Sequence, residues 1–243
     1  MNRKYVFGPI ASRRLGVSLG VDLVPAKTCC QDCIYCEAKA TTCHTVERRS
    51  YVDIHRVLKE LDETLKTIPR PDFITFSGAG EPTLNADIGR VIAFIKSHYP
   101  ECKVCLLTNG MLLGDAQVQK DVADADMVIP SLDASNEEEY QAVNRPVAGE
   151  TLAKLVSGLV AFRQNSVMKI ALEIFVAPGI NDSPASIDRF AELVKRIAPD
   201  AIQLNTLDRP GGVKDLLPAP PETLEKFRKA LENIAPVAIF GPR

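Results

Sequence analysis

The chain has 243 residues, is 46% apolar and 25% charged, and carries a formal net charge of −2. That composition supplies a large core and excludes a disordered polyelectrolyte or a globally basic binder of nucleic acid or membranes. No apolar run reaches membrane-span length and the N-terminus lacks a signal-peptide pattern, so the seven cysteines are expected in a reducing cytoplasm, outside a disulfide framework.

In chain order, an apolar strand from Val17 to Val24 leads into a cysteine-rich loop at residues 28–40. Ile54, Val57, Leu58, Leu61, Leu65 and Ile68 then mark one helix face, and Phe73 to Phe76 forms a short strand. A helix on Ile88, Val91, Ile92 and Ile95 precedes the strand Lys103 to Leu107. A weaker helix around Asp115 to Ala123 precedes the strand Met127 to Leu132. Leu152, Leu155, Val156, Leu159 and Phe162 define the next helix, followed by the strand Lys169 to Val176. The helix on Ile187, Phe190, Leu193, Val194 and Ile197 leads to the strand Ala201 to Leu204. A last helix, about Glu222 to Ile234, opens at Pro220-Pro221, and an apolar tail follows at Val237 to Phe240.

Six short apolar strands alternating with helices call for a parallel sheet covered by helices. Polar or glycine motifs follow each of the first five strands, and in barrel-like folds those ends share one ligand-binding face. The expected fold is a partial (β/α)6 barrel, TIM-like, with outer helices and a single domain over residues 1–243. The C-terminal helix and tail occupy about 220–243. A doubly wound open sheet is the competing architecture, but it concentrates its motifs at one crevice.

Cys29, Cys33 and Cys36 stand in the order Cys-x3-Cys-x2-Cys. Three close thiolates without a fourth in the run hold a soft metal centre and leave one corner open, whereas structural zinc sites close with a fourth ligand. Cys43 or His44 as a distant fourth ligand to zinc is the rival reading. Cys102 and Cys105 repeat the Cys-x2-Cys spacing on a predicted strand, where residues three apart face opposite sides, so a second site is not expected there. Cys30 is expected to point away from its neighbour.

The cysteine run after the first strand, followed by Ser77-Gly-Ala-Gly-Glu-Pro82 after the second, resembles the radical S-adenosylmethionine (SAM) superfamily. The resemblance implies a [4Fe–4S] cluster on Cys29, Cys33 and Cys36, with SAM chelating its fourth iron. The reduced cluster cleaves SAM, and the resulting 5′-deoxyadenosyl radical abstracts a substrate hydrogen. It also implies that Tyr35 lies against adenine and that Gly78, Gly80, Glu81 and Pro82 bind the SAM amino group. Asn109, Ser131 and Asp133 are placed near its ribose and carboxylate, and Asn205 near adenine. Each has an ordinary counterpart role: loop packing for Tyr35, turns and helix caps for the rest. Arg145 in Asn144-Arg145-Pro146 and the loop Val176 to Asp182 are weaker sites of the same kind.

The segment Phe7 to Pro25 is similar to bacterial and archaeal radical SAM proteins grouped with tricyclic wyosine synthase. Wyosine synthesis itself is not carried over, because no cysteine precedes Cys29. The expected partners are an external electron donor such as ferredoxin or flavodoxin and an unidentified substrate, RNA or protein, with no membrane. Arg13 and Arg14 either guide an anionic substrate or pair with acidic neighbours, and Arg48 and Arg49 also flank the loop. A non-catalytic iron–sulfur electron carrier or assembly protein is the alternative function, and a zinc-stabilised nucleic-acid-binding module is the third. The catalytic residue that returns hydrogen after abstraction is not legible; Cys30, Cys43 and Tyr140 have the chemistry for it.

Overall fold

The computed structural model describes residues 4–241. They open with an antiparallel hairpin, β1 (Val6–Ser12) and β2 (Gly16–Val21). Two short strands, β3 (Thr28–Cys29) and β4 (Cys43–His44), pair in parallel across the cysteine loop. Then follow α1 (Ile54–Leu65), β5 (Phe73–Phe76), α2 (Ile88–His98), β6 (Lys103–Thr108), α3 (Ala116–Val122) and β7 (Met127–Pro130). The second half contains α4 (Glu137–Val143), α5 (Leu152–Asn165), β8 (Lys169–Phe175), α6 (Pro184–Ile197), β9 (Ala201–Asn205), α7 (Pro221–Leu231) and β10 (Val237–Phe240).

One eight-stranded sheet runs β1-β2-β5-β6-β7-β8-β9-β10, and every neighbouring pair after the first hairpin is parallel. The six expected strands are β2 and β5 to β9, and the sheet curls as the expected partial barrel. Besides the two short strands β3 and β4, three elements exceed the expectation. β1 is exposed along most of its length and carries a Gly-Pro pair, so no buried pattern advertises it. The apolar tail becomes β10 and extends the sheet beyond β9. In α4 three glutamates occupy the first turn, and a seven-residue helix offers too short an apolar stripe to read. Its N-terminus is fixed by Asn136, whose side chain accepts from the Glu139 amide at 2.8 Å.

The two faces of the sheet differ. Leu19, Val21, Ile74, Phe76, Val104, Leu106, Leu172 and Ile174 lie in the main core with the helices. Alternate residues on the same strands face the lumen, where Ser18 and Thr75 hydroxyls meet at 2.6 Å. Leu15, in the first hairpin turn, packs with Cys105, Ile129 and Ala171 and closes the lumen's floor. Arg14 passes beside it to pair with Glu173 of β8 and reaches Gln203 of β9 at 3.2 Å. Arg13 donates to the Gly241 carbonyl at 2.6 Å, so the curl brings the first hairpin to the end of the last strand.

Candidate active site

The cysteine loop and the glycine turn after β5 are stitched together by backbone. Lys27 N donates to Ala79 O at 2.7 Å, and Glu81 N donates to Thr28 O at 3.0 Å. A Cβ at Gly80 would collide with the Thr28 carbonyl, so this approach requires glycine. Gly78 has φ 131°, and Asp22 from the end of the first strand segment fills the space where its Cβ would stand. The Asp22 carboxylate accepts from Ala79 N at 3.0 Å and fixes the turn from below.

Beyond Cys29 the loop is held against the end of α4. Asp32 N donates to Asn144 O and Ile34 N to Val143 O, both at 2.9 Å, while Val147 N donates to Cys30 O at 3.0 Å. The segment after β9 covers the loop from the other side. Val213 N donates to Ile34 O at 3.0 Å, and a Cβ on Gly211 would lie 2.8 Å from the Tyr35 Cα.

The thiols of Cys29 and Cys33 meet amide donors. Cys29 Sγ receives Gln31 N at 3.4 Å and Asn109 Nδ2 at 3.5 Å, and Cys33 Sγ receives Asn144 Nδ2 at 3.5 Å. Amide donors around sulfur suit thiolates that carry charge. Without a cation, burial pushes the Cys33 thiol well up, with the Asp133 carboxylate adding to it. Burial also raises Cys36, against which the Lys27 charge acts. The Cys29 thiol is lowered, first by its bond with Cys30. Cys30 therefore does not point away as expected: it is fully buried beside Cys29, with Asn109 Nδ2 at 3.0 Å from its sulfur.

Among the described residues, two buried side-chain polar atoms lack any partner, Lys27 Nζ and Asn144 Oδ1, and both border this loop. Buried polar atoms are rarely left unpaired. An orphaned ammonium and an orphaned carbonyl beside three thiols fit a charged iron–sulfur group with an amino-acid ligand. No three His, Cys, Asp or Glu side chains among the described residues are gathered tightly enough for a single metal ion. A cuboidal cluster takes its thiolates around a larger body. Cys43 and His44, the rival fourth ligands, are exposed on β4.

The other expected site residues are distributed as follows. Tyr35 stacks on Phe175, with centroids 4.0 Å apart and planes 13° apart, and its hydroxyl donates to Asp133 at 2.5 Å. Burial raises the Tyr35 and Asp133 pKa values. Asp133 also accepts from Asn144 Nδ2 at 2.8 Å and Phe175 N at 2.9 Å, so both its oxygens have internal partners. Glu81 is equally enclosed. Its Oε1 accepts from Thr83 N, Thr83 Oγ1 and Thr108 Oγ1, and its Oε2 from Asn109 N at 2.8 Å. Pro82 is buried at the start of a short 3-10 turn capped by that carboxylate. Thus Glu81 and Asp133 hold the strand ends together, and the face left toward a ligand at the turn is backbone. Asn109 turns its amide to the Cys29 and Cys30 sulfurs. Ser131 bridges to Glu173 through backbone, and Asn205 Nδ2 donates to Glu173 Oε2 at 2.8 Å.

Asn181 in the loop after β8 is fully buried and donates to the Asp133 and Phe175 carbonyls at 2.8 Å, a turn-fixing role. Arg145 is exposed while its neighbour Asn144 points inward. Arg14 pairs with Glu173 and Arg13 with Asp208 at 3.0 Å, so pairing with acidic neighbours is the outcome for both. Arg48 likewise pairs with Asp121 at 2.7 Å. Sequence reasoning misses Asp22, Lys27, Gln31, Asn144 and Glu173. Glu173 does carry a signal: a charged residue at the centre of an apolar strand, in register with Gln203.

A cavity of about 740 Å³ lies beneath the cysteine loop. Cys36, Tyr35 and Gly78 border its upper part, Phe175 its wall, and Arg14 with Glu173 its floor. The strand ends, the Cys36 residue and the lumen thus converge on one volume. A family model described as Radical SAM superfamily matches residues 23–193. The chain belongs to the radical SAM superfamily.

As a radical SAM protein it is an enzyme of a family that uses SAM and an iron–sulfur centre. It is 31% identical over 230 residues to UPF0026 protein MJ1312 of Methanocaldococcus jannaschii, covering 94% of this chain and 71% of that protein. It is 36% identical over 242 residues to a protein named GTPase Obg in Brachyspira hyodysenteriae, covering 100% of this chain but 35% of the relative. A radical SAM methyltransferase from Sphaerobacter thermophilus shares the fold, with TM-score 0.72 at 14% identity, covering 92% of this chain and 65% of that one. TYW1 with a lysine-pyruvate adduct bound shares it at TM-score 0.63 and 18% identity, covering 90% and 74%. No helix among the described residues is long and apolar enough to cross a membrane.

Proposed function

We propose that this chain is a catalytic radical SAM enzyme whose Cys29, Cys33 and Cys36 hold a [4Fe–4S] cluster at the mouth of the lumen. The observation that carries this reading is the stitching of the cysteine loop to the Ala79–Glu81 turn, which sets Cys36 of the cysteine run and Gly78 of the turn on one cavity. When bound and reduced, the cluster–SAM pair supplies reductive C–S cleavage and a 5′-deoxyadenosyl radical.

The chain's own residues bind, orient and exclude water. The glycine turn offers carbonyl oxygens to the SAM ammonium, since its carboxylate Glu81 is engaged inside. Tyr35, locked by Phe175 and Asp133, gives adenine a flat wall. Asn205 borders the same cavity. A lumen of about 740 Å³ that must also take SAM leaves room for one nucleotide or side chain of a larger RNA or protein substrate. A ferredoxin- or flavodoxin-like protein supplies the electron from outside.

Anaerobic reconstitution tests this directly. Iron, sulfide and 5′-deoxyadenosine are measured with SAM and a reductant. Four irons per chain and SAM cleavage that vanishes in Cys33→Ala are the expected results. Zinc without iron, or full cluster loading without SAM cleavage, would overturn the catalytic assignment.

A further inference from the structure

Lys27 is built into the site at some cost. Its φ of 68° lies in the left-handed region, where glycine is cheaper. Three backbone hydrogen bonds hold it there: its N–H to Ala79 O at 2.7 Å, and its carbonyl from Thr42 N at 3.0 Å and Cys43 N at 2.9 Å. The side chain then leaves its Nζ buried with no hydrogen-bond partner. A buried ammonium is retained only where a counter-charge meets it. Asp22 and Glu81, the nearby carboxylates of the turn, are directed to Ala79 N and to the Thr83–Asn109 cluster instead.

We infer that Lys27 is the counter-charge of the cluster and sets its reduction potential. This inference rests on the proposed cluster at Cys29, Cys33 and Cys36. Three thiolates give the site a negative charge, and accepting one electron from an external one-electron donor makes it more negative by one unit. A fixed cation with a buried ammonium, two residues before Cys29, stabilises the reduced form more than the oxidised form. Electron entry is thereby eased without a ligand change, and the amide donors of Asn109 and Asn144 at Cys29 and Cys33 act in the same direction.

The test compares wild type, Lys27→Met and Lys27→Arg after anaerobic reconstitution, by redox titration of the cluster's electron paramagnetic resonance signal. Lys27→Met is expected to need a more negative potential for half reduction. A tenfold lower reduced-to-oxidised ratio at fixed potential corresponds to about 59 mV for a one-electron couple. Lys27→Arg should restore the wild-type midpoint. An unchanged midpoint in Lys27→Met with equal iron and sulfide overturns the inference while leaving the cluster assignment standing. A wild type that takes up no cluster overturns both.

The metal-free proteins give a second readout that does not depend on loading. Removing an uncompensated buried charge should raise the melting temperature of metal-free Lys27→Met above wild type, and a lower or equal value overturns the inference.

Discussion

Cys33 with Cys36 and Cys102 with Cys105 share the Cys-x2-Cys spacing, and their surroundings share nothing. The first pair sits in a loop beyond a strand end, next to amide donors, an unpartnered ammonium and a cavity. Of the second, Cys105 lies in β6 and Cys102 immediately precedes that strand. Cys102 packs into the core under the helices, and Cys105 packs in the lumen floor with Leu15, Ile129 and Ala171. Spacing alone therefore does not make a ligand pair. A strand sends residues three apart to opposite faces, whereas a loop pinned from several sides can turn its thiols toward one body.

The sharpest break of the comparison is substitution on both sides of it. Cys33→Ala should reduce bound iron and SAM cleavage to background. Cys105→Ala should keep both and lower stability by about 1 kcal/mol, the cost of a small core cavity. Iron analysis, 5′-deoxyadenosine detection and urea unfolding separate these outcomes; iron loss in Cys105→Ala would erase the distinction.

Glu81 joins the loop to the sheet, and its removal is the next largest expected effect. Glu81→Ala strands the donors of Thr83, Thr108 and Asn109, all in or beside the core, at about 3 kcal/mol. Cluster retention should fall with it, because the Thr28–Glu81 backbone stitch loses its support. Glu81→Gln, which keeps the shape and some of the acceptor capacity, should lose less in urea unfolding. Equal losses in the two variants would show that the carboxylate's hydrogen bonds carry little of the stability.

Much of this arrangement is legible in the amino-acid sequence. The six parallel strands declare themselves through short apolar runs and intervening 3.6-residue stripes, and the ligand face follows from where Gly78 to Pro82 and Thr108 to Gly110 fall. What stays hidden is direction. Glu81 and Asp133 read as SAM contacts through the family resemblance, and in the fold both carboxylates are met by internal donors that no local pattern reveals. Asn144 and Lys27 stand in the shadow of Arg145 and the cysteines themselves, since a buried, unpartnered amide or ammonium has no sequence signature. β1 escapes because it is an exposed edge strand carrying Gly8-Pro9, and β10 is visible only as an apolar tail, since four residues do not tell an edge strand from a tail.

The smallest predicted effect separates the pairs by pH. Burial pushes the Cys105 thiol up to about 12, because its lumen-floor neighbours cannot solvate a thiolate. In the unfolded chain the same thiol titrates near about 8.5. The folded pKa is thus the raised one, so its contribution to stability is complete below the unfolded value and is lost as pH rises from there to about 12. Tyr99, raised to about 12 by burial and then by Asp62, loses stability over the upper part of the same range, so wild type alone cannot apportion the effect. Comparing Cys105→Ala with wild type isolates the thiol. The variant's urea midpoint should fall less steeply between pH 8 and 10 than the wild type's, and the two curves should converge as pH rises. Parallel curves would mean that the floor admits water to Cys105, and with it that the lumen is open at both ends.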